Sequence, residues 1–471
     1  MVQKDYAKKY INVASLIEHQ IGEGIWMAGD RLPSVRQMSR DLKISPGTVQ
    51  HAYAELEDRG IIAARVRSGF YVSPDRDMEI PPPVEKPFSA IPGEVNILET
   101  SIEIMENNGG RATYRLGSAL PLLENEAAVQ IRACLKRAAH AEPNHYEGPL
   151  GYPPLRKEIA RRSIRSGRAI QEDRLLITTG CQESLVLALQ SVTDAGDLVL
   201  VESPCYYGVL QTLEVLGRRV LEIRLCPEQG MDLNLLEDLM KRHPVKAMVI
   251  NSSFSNPTGY CYSRQEKEHI CCLFQRYEIP LIEDDIFAEL SFSESRPPSI
   301  HSFDDQGIVL LCSSFSKTLS QDLRIGWLEA GRFFKKARAI KYVSSLGTPA
   351  LYQYALADFL STQKYERHLR HVRREYRNRQ QWFLQYIKQV FPEDTQVSQP
   401  RGGYLAWMKL DRSADSMEIY RKALAVGVGI TPGAIFSPSG RFNHYLRLNW
   451  GNMERGMMEE SLRLLGRIVS H

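Results

Sequence analysis

A lysine beside a run of small hydroxyl residues is the feature of this 471-residue chain that points most directly to chemistry. Lys317 follows the run Ser313–Ser316 and precedes Arg324 by seven positions. An uncharged amine forms a Schiff base with an aldehyde. Hydroxyls and a guanidinium supply the hydrogen bonds and charge that hold a phosphate dianion. Pyridoxal phosphate carries both an aldehyde and a phosphate, so this arrangement indicates a site for it.

Three other short stretches carry groups that such a cofactor uses. The turn Gly180-Cys181-Gln182 lies between a predicted strand and a predicted helix, where free backbone amides favour a phosphate; an ordinary strand-to-helix turn is the alternative. Asn256 lies on a tight turn and can donate to a ring oxygen. Asp284, at the end of a predicted strand, can pair with a ring nitrogen and keep it protonated, although acids there also serve as solvated charge or helix caps.

An aromatic residue and an arginine extend the candidate site. Tyr206 lies on a turn after a predicted strand and can stack on a pyridine ring, although aromatic residues there more often belong to the core. Arg447 lies inside the apolar strand Tyr445–Asn449. Because an arginine is rarely buried without a partner, it is either a clamp for a substrate carboxylate or half of an internal ion pair.

The elements that must position these residues follow a repeating pattern. Apolar strand-like runs alternate with helical stretches, which predicts a largely parallel sheet covered on both faces. The predicted strands are Leu175–Thr178, Leu198–Val201, Ala247–Asn251, Leu281–Asp284 and Val309–Ser313. After about Phe333, long charged helices and two short strands predict a smaller α+β domain. The expected fold is therefore α/β with an α+β subdomain, preceded by a third, N-terminal module.

The first seventy residues show a different pattern, with three short helices and a hairpin. Apolar residues recur at helical spacing in the first helix, Ser34 with Gln37 forms a capping box for the second, and Ser45 begins the third. This is the order of a winged helix-turn-helix, whose third helix enters the major groove of DNA; a small helical docking domain is the alternative. The residues predicted to contact DNA are Arg36, Ser45, Thr48, Gln50, His51, Arg65 and Arg67.

Length and composition limit the possibilities further. The chain is too long for one core, and we expect a DNA-binding module at 1–74, a Pro-rich tether at 75–110, a large domain at 111–332 and a small domain at 333–471. A net charge of +3 says little about nucleic acid, so phosphate contacts must come from local clustering. The cysteines lack zinc-type spacing, so we expect reduced thiols and no metal site. No apolar run is long enough to cross a bilayer, so we expect a cytoplasmic protein.

Two families are recognisable in these motifs. The stretch Gly29–Arg36, the spaced residues between Ile44 and Leu56, and Ser68–Val72 closely resemble the GntR family of bacterial regulators. The pair Pro46-Gly47 departs from the polar pair usual there, so the operator preference of the family cannot be transferred. From about Tyr114 onward, the chain resembles class I aminotransferases, which are fold type I pyridoxal phosphate enzymes.

The second resemblance implies a role for each candidate residue. Lys317 is the Schiff-base lysine, Asp284 the partner of the ring nitrogen and Arg447 the ligand of the α-carboxylate. The other cofactor contacts implied are Gly180, Cys181, Gln182, Ser314 and Arg324 for the phosphate, Asn256 for the ring oxygen, Tyr206 for stacking, and Tyr146 lent to the neighbouring subunit. Two departures put fast turnover in doubt: Phe287 stands where the family has a tyrosine, and Gln321-Asp322 replaces the usual proline-glycine.

Both halves together resemble the MocR subfamily of GntR regulators. The resemblance implies a head-to-tail homodimer that binds a double-stranded DNA operator. It also implies that the ligand sensed is pyridoxal phosphate, or its aldimine with an amine or amino acid, at Lys317. A working aminotransferase with a DNA-binding appendage is the alternative, and an inert scaffold that dimerises the DNA-binding modules is a third possibility.

Overall fold

The structure is a computed structural model that describes residues 2–22, 26, 30–58, 60–65, 69–73, 80–84, 87–121, 126–140, 147–293 and 295–470. The chain divides into two compact units, Met1–Glu79 and Ile80–His471. Within the described ranges, none of the helices combines the length and the apolar character needed to cross a lipid bilayer.

The first unit has the predicted order of three helices and a hairpin: α1 (Val2–Gly22), α2 (Val35–Asp41), α3 (Pro46–Asp58), β1 (Ile62–Arg65) and β2 (Gly69–Val72). The fully buried residues of its core are Ile17, Val49, Ala52, Tyr53 and Leu56. The predicted capping box is only half present. Ser34 Oγ accepts from the Gln37 amide at 3.2 Å, but the Gln37 side chain donates to Asp41 at 3.0 Å because that carboxylate lies one turn ahead on the same helix face.

The second unit is built on an eight-stranded sheet in the order β3-β10-β9-β8-β7-β4-β5-β6. Its strands are β3 (Leu175–Thr178), β4 (Leu198–Ser203), β5 (Arg219–Cys226), β6 (Gly230–Met231), β7 (Val245–Ile250), β8 (Leu281–Asp284), β9 (Val309–Ser314) and β10 (Gly326–Glu329). The five central strands are parallel, and β10 and β6 are antiparallel to their neighbours. Parallel strands place their carboxyl ends at one edge of the sheet, where ligands bind in such folds.

Helices cover both faces of this sheet, as predicted. Successive residues of a strand point to opposite faces of the sheet. On β9, Leu310 and Leu311 belong to two separate apolar clusters, so both faces of the sheet are covered. The helices are α4 (Leu98–Gly110), α5 (Glu126–Ala139), α6 (Pro153–Ser163), α7 (Cys181–Val192), α8 (Tyr207–Val215), α9 (Leu233–Arg242), α10 (Arg264–Tyr277), α11 (Phe334–Ser345) and α12 (Ala350–Leu360).

A smaller antiparallel sheet completes the second unit. Its strands are β11 (Gln396–Val397), β12 (Leu405–Lys409), β13 (Thr431–Pro432) and β14 (Tyr445–Asn449), and its helices are α13 (Lys364–Val390), α14 (Ser416–Ala425) and α15 (Arg455–Val469). Strand β14 lies between β12 and β13, so Arg447 faces Trp407 on one side and Thr431 on the other. The backbone of Arg447 is therefore paired on both sides, and its side chain is buried against Tyr207 and Phe436.

Most of the interval expected to be a tether packs against the second unit. We call residues 80–84 and 87–97 the strap, because they contact both sheets. The Pro81 carbonyl accepts from Val397 at 3.0 Å, and Gly93 exchanges two backbone hydrogen bonds with Val220. Glu214 then accepts from the amides of Ile97 and Leu98 at the start of α4. The four-part division of the chain stays a prediction.

Candidate cofactor site and DNA-binding surface

Lys317 lies just beyond β9, at the carboxyl edge of the large sheet. Its Nζ donates to the Ala119 carbonyl at 2.6 Å and lies 6.0 Å from the centre of the Phe287 ring. Burial, and then the positive charge of Arg447, lower the pKa of Lys317 to about 8. An ordinary lysine has a pKa of about 10.4, so a much larger fraction of this amine is uncharged at neutral pH.

Asp284 ends β8 and is almost fully buried. Its Oδ1 accepts from the Ile286 amide at 3.2 Å and contacts the Cys181 thiol at 3.5 Å. Burial raises the pKa of Asp284 to about 6, although both hydrogen bonds oppose the rise. A buried carboxylate of this kind is stabilised by a cationic partner, which a protonated pyridine nitrogen would supply.

Residues 179–182, which we call the phosphate turn, lead into α7 beneath the Arg324 guanidinium. Gly180 has φ +83, a backbone conformation that favours glycine, and the Cβ position of any other residue would lie 2.6 Å from Arg324 Nη2. Arg324 Nη2 in turn donates to the Thr179 carbonyl at 2.8 Å. The start of a twelve-residue helix and a guanidinium therefore meet at one point, which suits a phosphate.

The other polar side chains near the phosphate turn differ in whether their hydrogen-bond donors remain free for a phosphate. Ser314 Oγ accepts from the Ser316 amide at 3.2 Å. Ser316 Oγ is buried and has no hydrogen-bond partner among the residues that the structure describes, so it can donate to an anion. The Gln182 side chain donates to Gly208 and Thr212 of α8, at 2.9 and 2.8 Å, which leaves only its backbone amide for a phosphate.

Arg447 is fully buried between the two sheets. Its Nη1 donates to Asn256 Oδ1 at 3.3 Å, and its Nη2 donates to Thr431 Oγ1 at 3.0 Å and to the Gly117 carbonyl. Within the described part of the chain its Nε is buried without a hydrogen-bond partner, and the groups that its other nitrogens contact are an amide, a hydroxyl and a carbonyl, not a carboxylate. The geometry therefore favours the interpretation as a carboxylate clamp over the internal ion pair.

Tyr206 and Phe287 complete the walls of the site. The Tyr206 ring lies 4.9 Å from that of Tyr207, and a Cβ atom on Gly208 would collide with it at 2.5 Å. Burial, then Tyr207 and Asp284, raise the pKa of Tyr206, so the phenol stays protonated. Phe287 is buried against Tyr404 at 5.5 Å and has no hydroxyl to offer to a ring oxygen.

Several groups of the site were not found from the sequence. Asn251 donates to the Asp284 carbonyl at 2.7 Å and accepts from the Asn256 amide at 3.2 Å; its position at the end of a predicted strand was a usable signal. The Ala119 carbonyl and Thr431 come from distant segments, and no local pattern marks them. Tyr146 and Arg67 lie outside the described residues, and so does the side chain of Arg65.

In the first unit, four of the predicted DNA contacts are on the surface: Arg36, Ser45, Gln50 and His51. Thr48 is not. It is only 2% exposed, and its hydroxyl bonds to Ser45 Oγ at 2.8 Å, because both residues close the start of α3. Its predicted phosphate contact is therefore replaced by a structural role in the cap.

Comparison with known proteins agrees with both halves of this description. Residues 113–465 match the family "Aminotransferase class I and II", and residues 9–72 match "Bacterial regulatory proteins, gntR family". The structure of LysN, an α-aminoadipate aminotransferase of Thermus thermophilus complexed with N-(5'-phosphopyridoxyl)-L-leucine, superposes with a TM-score of 0.70. It is 28% identical and covers 78% of this chain and 94% of its own.

Relatives of the full length carry both units. YdcR of Escherichia coli K12, named an HTH-type transcriptional regulator, is 35% identical over 469 residues, which is 98% of this chain and 99% of YdcR. YjiR of the same organism, named in the same way, is 33% identical over 468 residues and 98% of each chain. These names favour a regulator over an active aminotransferase.

Fold and site thus define a DNA-binding unit of the helix-turn-helix class fused to an aminotransferase-like unit. The chain belongs to the GntR-type regulators with a class I and II aminotransferase domain, the layout of the MocR subfamily.

Proposed function

We propose that this protein is a transcription regulator that binds pyridoxal phosphate through an aldimine at Lys317 and senses a small amine or amino acid at the same site. The observation that carries the proposal is the convergence of Lys317, Asp284 and Arg447 in a unit fused to a DNA-binding unit. When bound, the cofactor supplies an aldehyde and an electron-withdrawing ring. Transaminase activity is expected to be weak, because Phe287 offers no hydrogen bond to the ring oxygen.

The residues present fit this cofactor. The phosphate turn and Arg324 would hold the phosphate, and the Ser316 hydroxyl, which has no partner among the described residues, would add a donor. Asp284 would pair with the ring nitrogen and favour its protonated form, and Tyr206 would stack on the ring. Arg447 then orients a ligand that carries a carboxylate, using the planar geometry that suits this anion.

In the sequence, the strap lies between the DNA-binding unit and α4. Tyr207 lies with its ring 5.6 Å from the Arg447 guanidinium, and its hydroxyl contacts Met105 Sδ on α4 at 2.9 Å. Helix α4 directly follows the strap, which bonds to both sheets of the second unit. A ligand that changes the spacing of the two sheets would therefore act on the strap, provided that it binds the two arrangements with different affinity.

We also propose a cytoplasmic head-to-tail homodimer. Five large apolar side chains near the junction of α11 and α12 are exposed: Tyr342, Val343, Leu346, Leu351 and Tyr352. A cluster of this kind is typical of an interaction surface. Sedimentation of the full chain at several concentrations tests the dimer.

The reaction of the cofactor-free protein with pyridoxal phosphate should depend on pH. Only the uncharged amine of Lys317 attacks the aldehyde, and its pKa is lowered to about 8. The rate is therefore expected to rise about tenfold per pH unit below pH 8 and to level off above it. Stopped-flow absorbance in the visible range measures this. A rate that keeps rising to pH 10 would show an ordinary, solvent-exposed lysine.

The DNA-binding role predicts a salt-dependent loss in one surface variant. Arg36→Gln removes an exposed charge on α2, and we expect weaker DNA binding whatever the sequence, with the slope of log affinity against log salt reduced by about one. Fluorescence anisotropy at several salt concentrations measures it. The control is Arg332→Gln, an exposed arginine of the second unit. An unchanged slope in Arg36→Gln would exclude this residue from the interface.

One experiment separates a regulator from an enzyme. The purified protein is titrated with a panel of amino acids while its visible spectrum is recorded, and the same ligands are added to a gel shift on its own upstream DNA. A regulator changes its DNA affinity with a stoichiometric spectral change. Repeated turnover of amino acid and oxo acid, with no effect on DNA binding, would support the aminotransferase alternative.

A further inference from the structure

Lys341, on α11, is a fully buried lysine outside the proposed ligand contacts. Lysine is rarely buried unless it is paired, and this one has three partners. Its Nζ donates to Glu183 Oε1 at 2.9 Å, to Thr348 Oγ1 at 3.2 Å and to Ser345 Oγ at 3.3 Å. Every proton of the ammonium group therefore has an acceptor, which makes the pair a satisfied ionic contact.

The second oxygen of Glu183 faces the phosphate turn. Glu183 Oε2 accepts from the Thr179 amide at 2.5 Å. The Thr179 carbonyl accepts from Arg324, the guanidinium that covers Gly180. One peptide segment is thus held from both sides: by Glu183 through its amide and by Arg324 through its carbonyl.

A plain helix cap does not account for this arrangement. A carboxylate in the first turn of α7 gains stability from the helix amides without help, and it usually does so in contact with solvent. Here the carboxylate is tied to a lysine with no exposed surface, and Thr348 of the same group also donates to the Ile177 carbonyl of β3 at 3.0 Å. The ion pair joins α11, β3 and the phosphate turn into one rigid unit.

We propose that Lys341 and Glu183 are positioning residues that hold the phosphate turn in the conformation that binds the cofactor phosphate. The inference rests on the proposed function. It predicts that these two residues contribute to the affinity for the phosphate group of the cofactor and not to the affinity for its aldehyde. Neither residue touches the ligand. Lys341 acts through Glu183, and Glu183 acts through the Thr179 amide.

The test compares two aldehydes, pyridoxal phosphate and pyridoxal, which differ only in the phosphate. Each is titrated into the cofactor-free full chain, and visible absorbance reports binding. In Lys341→Met we expect the affinity for pyridoxal phosphate to fall by about tenfold or more, since a charged hydrogen-bond partner is lost. The affinity for pyridoxal should change by less than about twofold, because Lys317 is untouched.

Two variants keep the test decisive. Lys336→Met, an exposed lysine on the same helix, is the matched control and should bind both aldehydes like the wild type. If Lys341→Met does not fold, Glu183→Gln keeps the size of the side chain and an acceptor for Thr179 while removing the charge. It should show the same selective loss, to a smaller extent.

The outcomes are distinct. A loss that is equal for the two aldehydes would show a general structural role and overturn the inference, and so would unchanged affinity for both. A wild-type protein that takes up neither aldehyde would overturn the proposed function, and this inference with it.

Discussion

Replacing Lys317 with alanine is expected to abolish the visible absorbance that the protein gains with pyridoxal phosphate. Lys317 is the lysine whose amine faces Asp284 and Arg447, and its lowered pKa of about 8 makes it reactive at neutral pH. The same variant should lose the response of DNA binding to amines, while DNA binding without ligand stays within about twofold of the wild type. Absorbance titration and gel shift measure the two effects.

Lys246→Ala is the matched control for this variant. Lys246 lies on β7 of the same sheet but is exposed. It should keep both the absorbance and the ligand response. Unchanged absorbance in Lys317→Ala would contradict both the regulator and the aminotransferase interpretations, because each depends on this amine.

Replacing Arg447 with methionine is expected to remove the preference for ligands with a carboxylate. A hydrogen bond to a charged group contributes about 1.5–3 kcal/mol, so amino acids should bind about 10- to 100-fold more weakly. Simple primary amines should bind with little change, because they make no use of the guanidinium. The measurement is a spectral titration with matched pairs of an amino acid and its decarboxylated amine.

The fold of this variant needs its own check, since Asn256 and Thr431 lose a buried partner. Uptake of pyridoxal phosphate through Lys317 provides it, because that absorbance requires an intact site. Arg412→Met, at an exposed arginine of the same subdomain, is the control and should leave both ligand classes unaffected. An equal loss for amino acids and amines in Arg447→Met would show that Arg447 has no role in carboxylate recognition.

Short patterns made the central residues predictable from the sequence. Apolar runs predicted five strands of the large sheet, β3, β4, β7, β8 and β9, and the carboxyl ends of the last three bring Asn256, Asp284 and Lys317 to one edge. Arg447 was identified because an arginine is rarely buried in an apolar strand unless it has a partner. These features are local, and the fold preserves them.

Features that depend on distant contacts were not predictable. The Ala119 carbonyl that holds Lys317 lies almost two hundred positions away from it, and nothing near Ala119 marks it. Proline-rich composition gave no sign that Gly93 of the strap pairs with Val220 of β5. Thr48 has the chemistry of a phosphate contact, but its place in the first turn of α3 turns its hydroxyl towards Ser45.

Borohydride trapping followed by peptide mapping tests the central claim most directly. The purified full chain is mixed with pyridoxal phosphate, reduced and digested, and the labelled peptide is identified by mass spectrometry. We expect the stable phosphopyridoxyl group on Lys317, and its loss when an amino acid is added before reduction. A label on another lysine, or no label at all, would contradict a cofactor bound at this position.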